Sequence, residues 1–113
     1  MREFLRSKIH KAIVTKTDLS YEGSIGIDGA LAEMAGLKDG EKVLIVDNTN
    51  GARIETYVIF EEKNSAEVIM YGASAHLIKK GDEIIIMGFE IAEEPPKQIK
   101  VLLDKNNKFV KYL

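Results

Sequence analysis

The residues with the most chemical potential begin at Tyr21-Glu22-Gly23-Ser24, which holds the only Gly-Ser step of the chain. A serine hydroxyl can reach the carbonyl carbon of the preceding residue through a five-membered ring, exchanging the amide for an ester. β-Elimination of that ester cuts the chain and leaves dehydroalanine. Hydrolysis then releases ammonia and leaves a ketone at the new N-terminus. Glycine ahead of the serine suits this attack, because it accepts strained φ/ψ and leaves its carbonyl uncrowded. Taken alone, Gly-Ser is an ordinary turn far more often than a cleavage point.

Three further constellations could serve such a ketone. In Lys8-Ile9-His10, strand geometry projects Lys8 and His10 from one face while Ile9 packs inward. His10 could relay a proton near neutral pH, although two solvated polar residues would give the same pattern. In Arg53-Ile54-Glu55-Thr56-Tyr57-Val58, alternation puts Arg53, Glu55 and Tyr57 on one face and Thr56 on the other, barring a bulge. An arginine fork can grip a carboxylate and a nearby phenol can donate a proton, while an ordinary cross-strand ion-pair ladder fits equally. In Tyr71-Gly72-Ala73-Ser74-Ala75-His76, small side chains could let a ligand approach backbone N–H groups, or could simply pack a tight turn. The two histidines, His10 and His76, lack a spaced carboxylate partner, so no metal site is expected.

The elements that must position these residues are mostly short strands. Strand-like runs cover Phe4 to Thr15, Lys42 to Val46, Arg53 to Phe60, Val68 to Tyr71, Glu83 to Ile91 and Ile99 to Leu103. Turn chemistry separates them, and Asn50-Gly51 is a strong hairpin signal because both positions tolerate positive φ. One helix is expected, capped by Asp28, striped by Ala30, Leu31, Met34 and Ala35, and ended at Gly36. A second helical turn is expected over Ala73 to Leu77. Many short strands with little helix indicate a small β-barrel.

With 113 residues, 45% hydrophobic and 30% charged, the chain has the balance of one globular domain with a modest core, so oligomerisation is expected. A net charge of −2, without a basic stripe, argues against nucleic acid as a partner. The absence of cysteine excludes disulfides and thiolate zinc sites. The N-terminal region is charged throughout and the longest apolar run, Ile84 to Met87, is far too short for a bilayer. A cytoplasmic protein without membrane attachment is expected.

Several weak motifs occur in a telling order: Ser7-Lys8-Ile9-His10-Lys11-Ala12, Asp18 through Ser24, Ile27-Asp28, Asn50-Gly51-Ala52-Arg53 with Thr56-Tyr57, and Gly72-Ala73-Ser74-Ala75-His76 before Gly81-Asp82. Together they resemble the pyruvoyl-dependent aspartate 1-decarboxylases, from about Lys8 through Phe89. The resemblance implies a mainly β, double-psi β-barrel with one or two short helices, and a homotetramer with active sites between subunits. It also implies self-cleavage of a single domain, residues 1–113, into a small chain 1–23 and a large chain 24–113. The covalent pyruvoyl cofactor would derive from Ser24, forming a Schiff base with L-aspartate and yielding β-alanine and carbon dioxide for pantothenate synthesis. Ser24 and Tyr57 would be catalytic, Tyr57 as proton donor. Thr56 would polarise the Gly23 carbonyl during cleavage. Arg53 and Lys8 would bind substrate carboxylate, and His10, Tyr21, Tyr71 and the backbone of Gly72 and Ala73 would line the site. Two departures stand out: Tyr71 where the family commonly has asparagine, and Ser74 where it commonly has alanine.

Rival readings are an uncleaved β-barrel binding module and a conventional serine hydrolase. The second is weak, since Gly23-Ser24 lacks a nucleophile-elbow pattern and no carboxylate is placed to orient a base.

Overall fold

A computed structural model describes residues 1–113 as a mainly β structure with one nine-stranded sheet. In chain order the strands are β1 (Arg2–Ile13), β2 (Lys16–Asp18), β3 (Ser24–Asp28), β4 (Lys42–Asp47), β5 (Arg53–Glu61), β6 (Val68–Tyr71), β7 (Glu83–Ala92), β8 (Ile99–Leu103) and β9 (Phe109–Tyr112). The helix α1 spans Gly29–Met34, and a short 3-10 helix spans Gly72–His76. No helix is long and apolar enough to cross a membrane.

The sheet order is β2-β6-β3-β5-β4-β7-β1-β8-β9. Three pairs in it are parallel, β1 with β8, β2 with β6 and β3 with β5, and the others are antiparallel. Strand β5 serves two partners in succession. Arg53 to Tyr57 face β4, while Val58 to Glu61 pair with β3. The apolar residues of the strands and of α1 gather into one cluster centred on Ile9, Ile25, Ile45, Val58, Met70 and Ile86, each at most 1% exposed. Burying residues of this size releases about 1.5–3 kcal/mol each, an upper range that unfolded-state compaction reduces.

The expected strands all form, with ends moved by at most two residues, and α1 begins where Asp28 accepts from the Ala30 N–H at 2.9 Å. Three strands were not foreseen: β2, β3 and β9. Strand β3 escaped because all five of its residues are buried, which erases the alternation that betrays a half-buried strand. The expected hairpin forms at Asn50-Gly51, joining β4 and β5 in antiparallel pairing. Only Gly51 takes positive φ, at 77°, while Asp47 and Asn50 side chains accept from the N–H groups of Thr49 and Ala52. The turn is therefore built from side-chain caps around one left-handed glycine, rather than two left-handed residues.

Two buried polar side chains tie distant segments together. Asp28 also accepts from the N–H groups of Asn64 and Ala66, at 3.0 and 2.9 Å. Asn107 accepts from the Ile13 N–H at 2.8 Å and donates to the carbonyls of Ile13 and Ala66 at 2.9 and 3.0 Å. Ala66 sits between them at φ 60°, a left-handed conformation costly for alanine that these bonds hold in place. Asn107 thereby fastens the β8–β9 hairpin to the end of β1. Replacing Asn107 by alanine strands three backbone groups, and a loss of about 2–4 kcal/mol is expected in urea denaturation. An unchanged midpoint would show that the hairpin docks by apolar packing alone.

Candidate active site

Strand β3 sets the position of Ser24. Its parallel register pairs Ile25 with Val58 and Asp28 with Glu61, so the residues before Ile25 run alongside Tyr57 and Thr56. On its other edge Ser24 pairs with Tyr71. The Gly23–Ser24 step thus enters the sheet between the middle of β5 and the end of β6. Ser24 is 4% exposed, and its hydroxyl donates to the Glu22 carbonyl at 3.3 Å, folded back across Gly23.

Glycine is required where β6 gives way to the 3-10 helix. Gly72 has φ +75°, and a Cβ there would lie 2.8 Å from both the nitrogen and Cα of Gly23 and 3.1 Å from the Tyr21 carbonyl oxygen. Any side chain at this point would push the Gly23 backbone away, so the tight-packing reading of the small residues holds at Gly72. A hollow of about 370 Å³ opens beside this contact, lined by Gly23, Thr56, Tyr57, Ala73, Ser74 and Leu77 among others.

The face assignment of β5 holds without a bulge. Arg53, Glu55 and Tyr57 are exposed and Thr56 is buried. Glu55 pairs with Lys42 at 2.8 Å, so the ion-pair ladder exists, but it engages Glu55 and leaves Arg53 out of every ion pair. Arg53 is therefore free to meet an anionic ligand at the head of the strand that carries Thr56 and Tyr57.

Two tyrosines flank the Gly23–Ser24 segment. The Tyr21 and Tyr71 rings lie with centroids 4.7 Å apart, tilted by 44°. The Tyr71 hydroxyl donates to Glu61 Oε2 at 2.9 Å. Burial and this carboxylate push the Tyr71 phenol up to about 12, so it stays protonated across the physiological range. Before Tyr21, Asp18 Oδ1 accepts from both the N–H and the hydroxyl of Ser20, closing the turn that leads into the segment.

Within one chain, then, Tyr21, Gly23, Ser24, Thr56, Tyr57, Tyr71, Gly72 and Ala73 come together, with Arg53 on the same strand as Thr56. Lys8 and His10 do not join them. Both lie on β1, from which β7, β4 and β5 separate β3 in the sheet, and neither lines the hollow beside Gly23. They do share a face, flanking the buried Ile9 as their spacing requires. Sequence reasoning missed Glu61 and Gly26. A Cβ on Gly26 would collide with Glu61 Oε2, and no local pattern links two residues on neighbouring parallel strands.

His10 titrates below its ordinary value of 6.5, first because of burial and then because Lys8, Lys100 and Lys11 repel a second positive charge. With the folded pKa below the unfolded one, protons favour the unfolded chain. This contribution is absent well above pH 6.5 and destabilises the fold increasingly as pH falls through that value. NMR titration is expected to place His10 below 6.5, and Lys8→Ala to move it upward; a value above 6.5 in the native protein would contradict the burial and charge argument.

The sequence matches the model of the family described as aspartate decarboxylase over residues 1–110. Among curated relatives, an aspartate 1-decarboxylase from Chlorobium chlorochromatii is 49% identical, with 91% of this chain and 83% of the relative aligned. An aspartate 1-decarboxylase from Thermotoga petrophila is 43% identical, covering 95% of this chain and 94% of the relative.

Proposed function

The chain belongs to the aspartate decarboxylase family, and from that premise we propose that it converts L-aspartate to β-alanine and carbon dioxide for pantothenate synthesis. The observation that carries the proposal is the seating of Gly23-Ser24 against Thr56-Tyr57, on a strand whose Arg53 has no ion-pair partner. In this reading the domain 1–113 cuts itself into chains 1–23 and 24–113, and Ser24 becomes a pyruvoyl group. The site fits that conversion: the buried Ser24 hydroxyl is folded back over Gly23, and the Gly23 backbone abuts a glycine with no room for a side chain.

A pyruvoyl group held at position 24 would supply an electrophilic carbonyl for the substrate amine and a sink for the electrons of decarboxylation. The remaining work falls to the chain's own side chains. The buried Thr56 hydroxyl polarises the Gly23 carbonyl while the Ser24 oxygen attacks it. Arg53 grips the substrate side-chain carboxylate in a two-pronged contact, directing the α-carboxylate toward loss. Tyr57 returns a proton to the carbon that lost carbon dioxide. Gly72 and Ala73 present backbone N–H groups beside the hollow, and Tyr21 and Tyr71 shield it.

Tyr57 is 57% exposed, a poor setting for a proton donor that must avoid exchange with bulk water. A second subunit covering this face would exclude that water and bring in the missing Lys8 and His10. From the family resemblance the working form is a homotetramer in the cytoplasm, and the exposed Tyr57 fits a site shared between neighbouring subunits.

Intact mass is expected to show two chains, the larger beginning with a borohydride-reducible carbonyl; a single uncut chain after prolonged warming would favour a binding module instead. Ser24→Ala is expected to stay uncut and to make no β-alanine. Arg53→Ala is expected to be cut normally but to lose about 100-fold or more in kcat/KM for aspartate, the worth of a charge-assisted bidentate contact. An unaltered kcat/KM would remove Arg53 from substrate binding.

A further inference from the structure

The face of the sheet that carries Ser24 also carries Gly26, on the same strand, and Tyr71, its antiparallel neighbour. Glu61, at the end of β5, pairs with Asp28 and shares that face. Its carboxylate does not point to solvent. It crosses over β3 at Gly26, where a Cβ would collide with Oε2, and reaches the Tyr71 hydroxyl at 2.9 Å on the far side. Only a residue without a side chain at position 26 leaves this path open.

From this geometry we infer that Glu61 is a positioning residue for cleavage at Gly23–Ser24, acting through Tyr71 across the gap at Gly26. The inference rests on the self-cleavage proposed above. The Tyr71 ring stands next to Ser24 and stacks on Tyr21, so fixing its hydroxyl fixes both walls of the segment to be cut. Between those walls the Gly23 backbone is held down on Gly72. The attack of Ser24 on the Gly23 carbonyl demands a strained approach, and a wobbling Tyr21 would let the segment relax out of it. Tyr71 itself transfers no proton: its phenol remains protonated and donates to Glu61 throughout the working pH range. Glu61 touches neither the scissile bond nor the hollow, so its effect must pass through the phenol.

The test follows the fraction cut against time by intact mass, using freshly purified full-length protein. Glu61→Ala and Tyr71→Phe are each expected to slow cleavage by about tenfold, the loss of one partly buried charge-assisted hydrogen bond. The Glu61→Ala/Tyr71→Phe double variant is expected to be no slower than either single one, because both remove the same bond. Glu61→Gln, whose amide oxygen can still accept, is expected to recover most of the rate. In ultraviolet titration, one tyrosine is expected to ionise at lower pH in Glu61→Ala than in the wild type. Wild-type cutting speed in Glu61→Ala, or additive losses in the double variant, would overturn the role of Glu61 while leaving self-cleavage standing. A wild-type protein that never cuts would overturn both.

Discussion

The parallel pairing of β3 with β5 is the constraint from which the site follows. Strand periodicity makes register a matter of all or nothing, since a slip of one residue sends every side chain to the opposite face. Here Ile25 and Ile27 fill the core, which obliges Ser24 and Gly26 to share the other face with Tyr71 and Glu61. Asp28 anchors the far end by binding three backbone N–H groups, two of them from the loop before β6. The position of the Gly23–Ser24 bond is thus set by apolar packing at one end of a short strand and by a buried carboxylate at the other.

The sequence carried more of this site than of the strand that holds it. Arg53, Thr56 and Tyr57 could be assigned to faces because β5 is half exposed and alternates cleanly, and the structure keeps that alternation. Lys8 and His10 could be placed together on β1 for the same reason. Strand β3 could not be read, because a run buried on both faces shows no period. Nor could the Asn107 clamp, which joins the end of β1 to the C-terminal hairpin across most of the chain. Long-range polar contacts of this kind leave no trace in local spacing. The Gly-Ser dipeptide gave the chemistry only when combined with motifs far from it in sequence.

Arg53 is one of many basic side chains outside the ion pairs, and it heads the strand that carries Thr56 and Tyr57. Lys42 occupies Glu55, Arg6 occupies Glu41, and Lys63 occupies Glu33, while Arg53 meets no carboxylate. Such surface pairs add little stability individually. At His10 burial comes first, and the lysines Lys8, Lys100 and Lys11 add to it, so both favour the neutral imidazole.

Strand β1 lies between β7 and β8, hydrogen-bonded to both, and Asn107 locks its end. Most of the segment ahead of Gly23, strand β1, is therefore an interior stave of the sheet, while the short β2 pairs with β6 at the edge. Breaking the backbone after it would open no seam, since the fragment would stay laced in place along both edges. A cut at that point would leave two complementing fragments, each holding the other's strands.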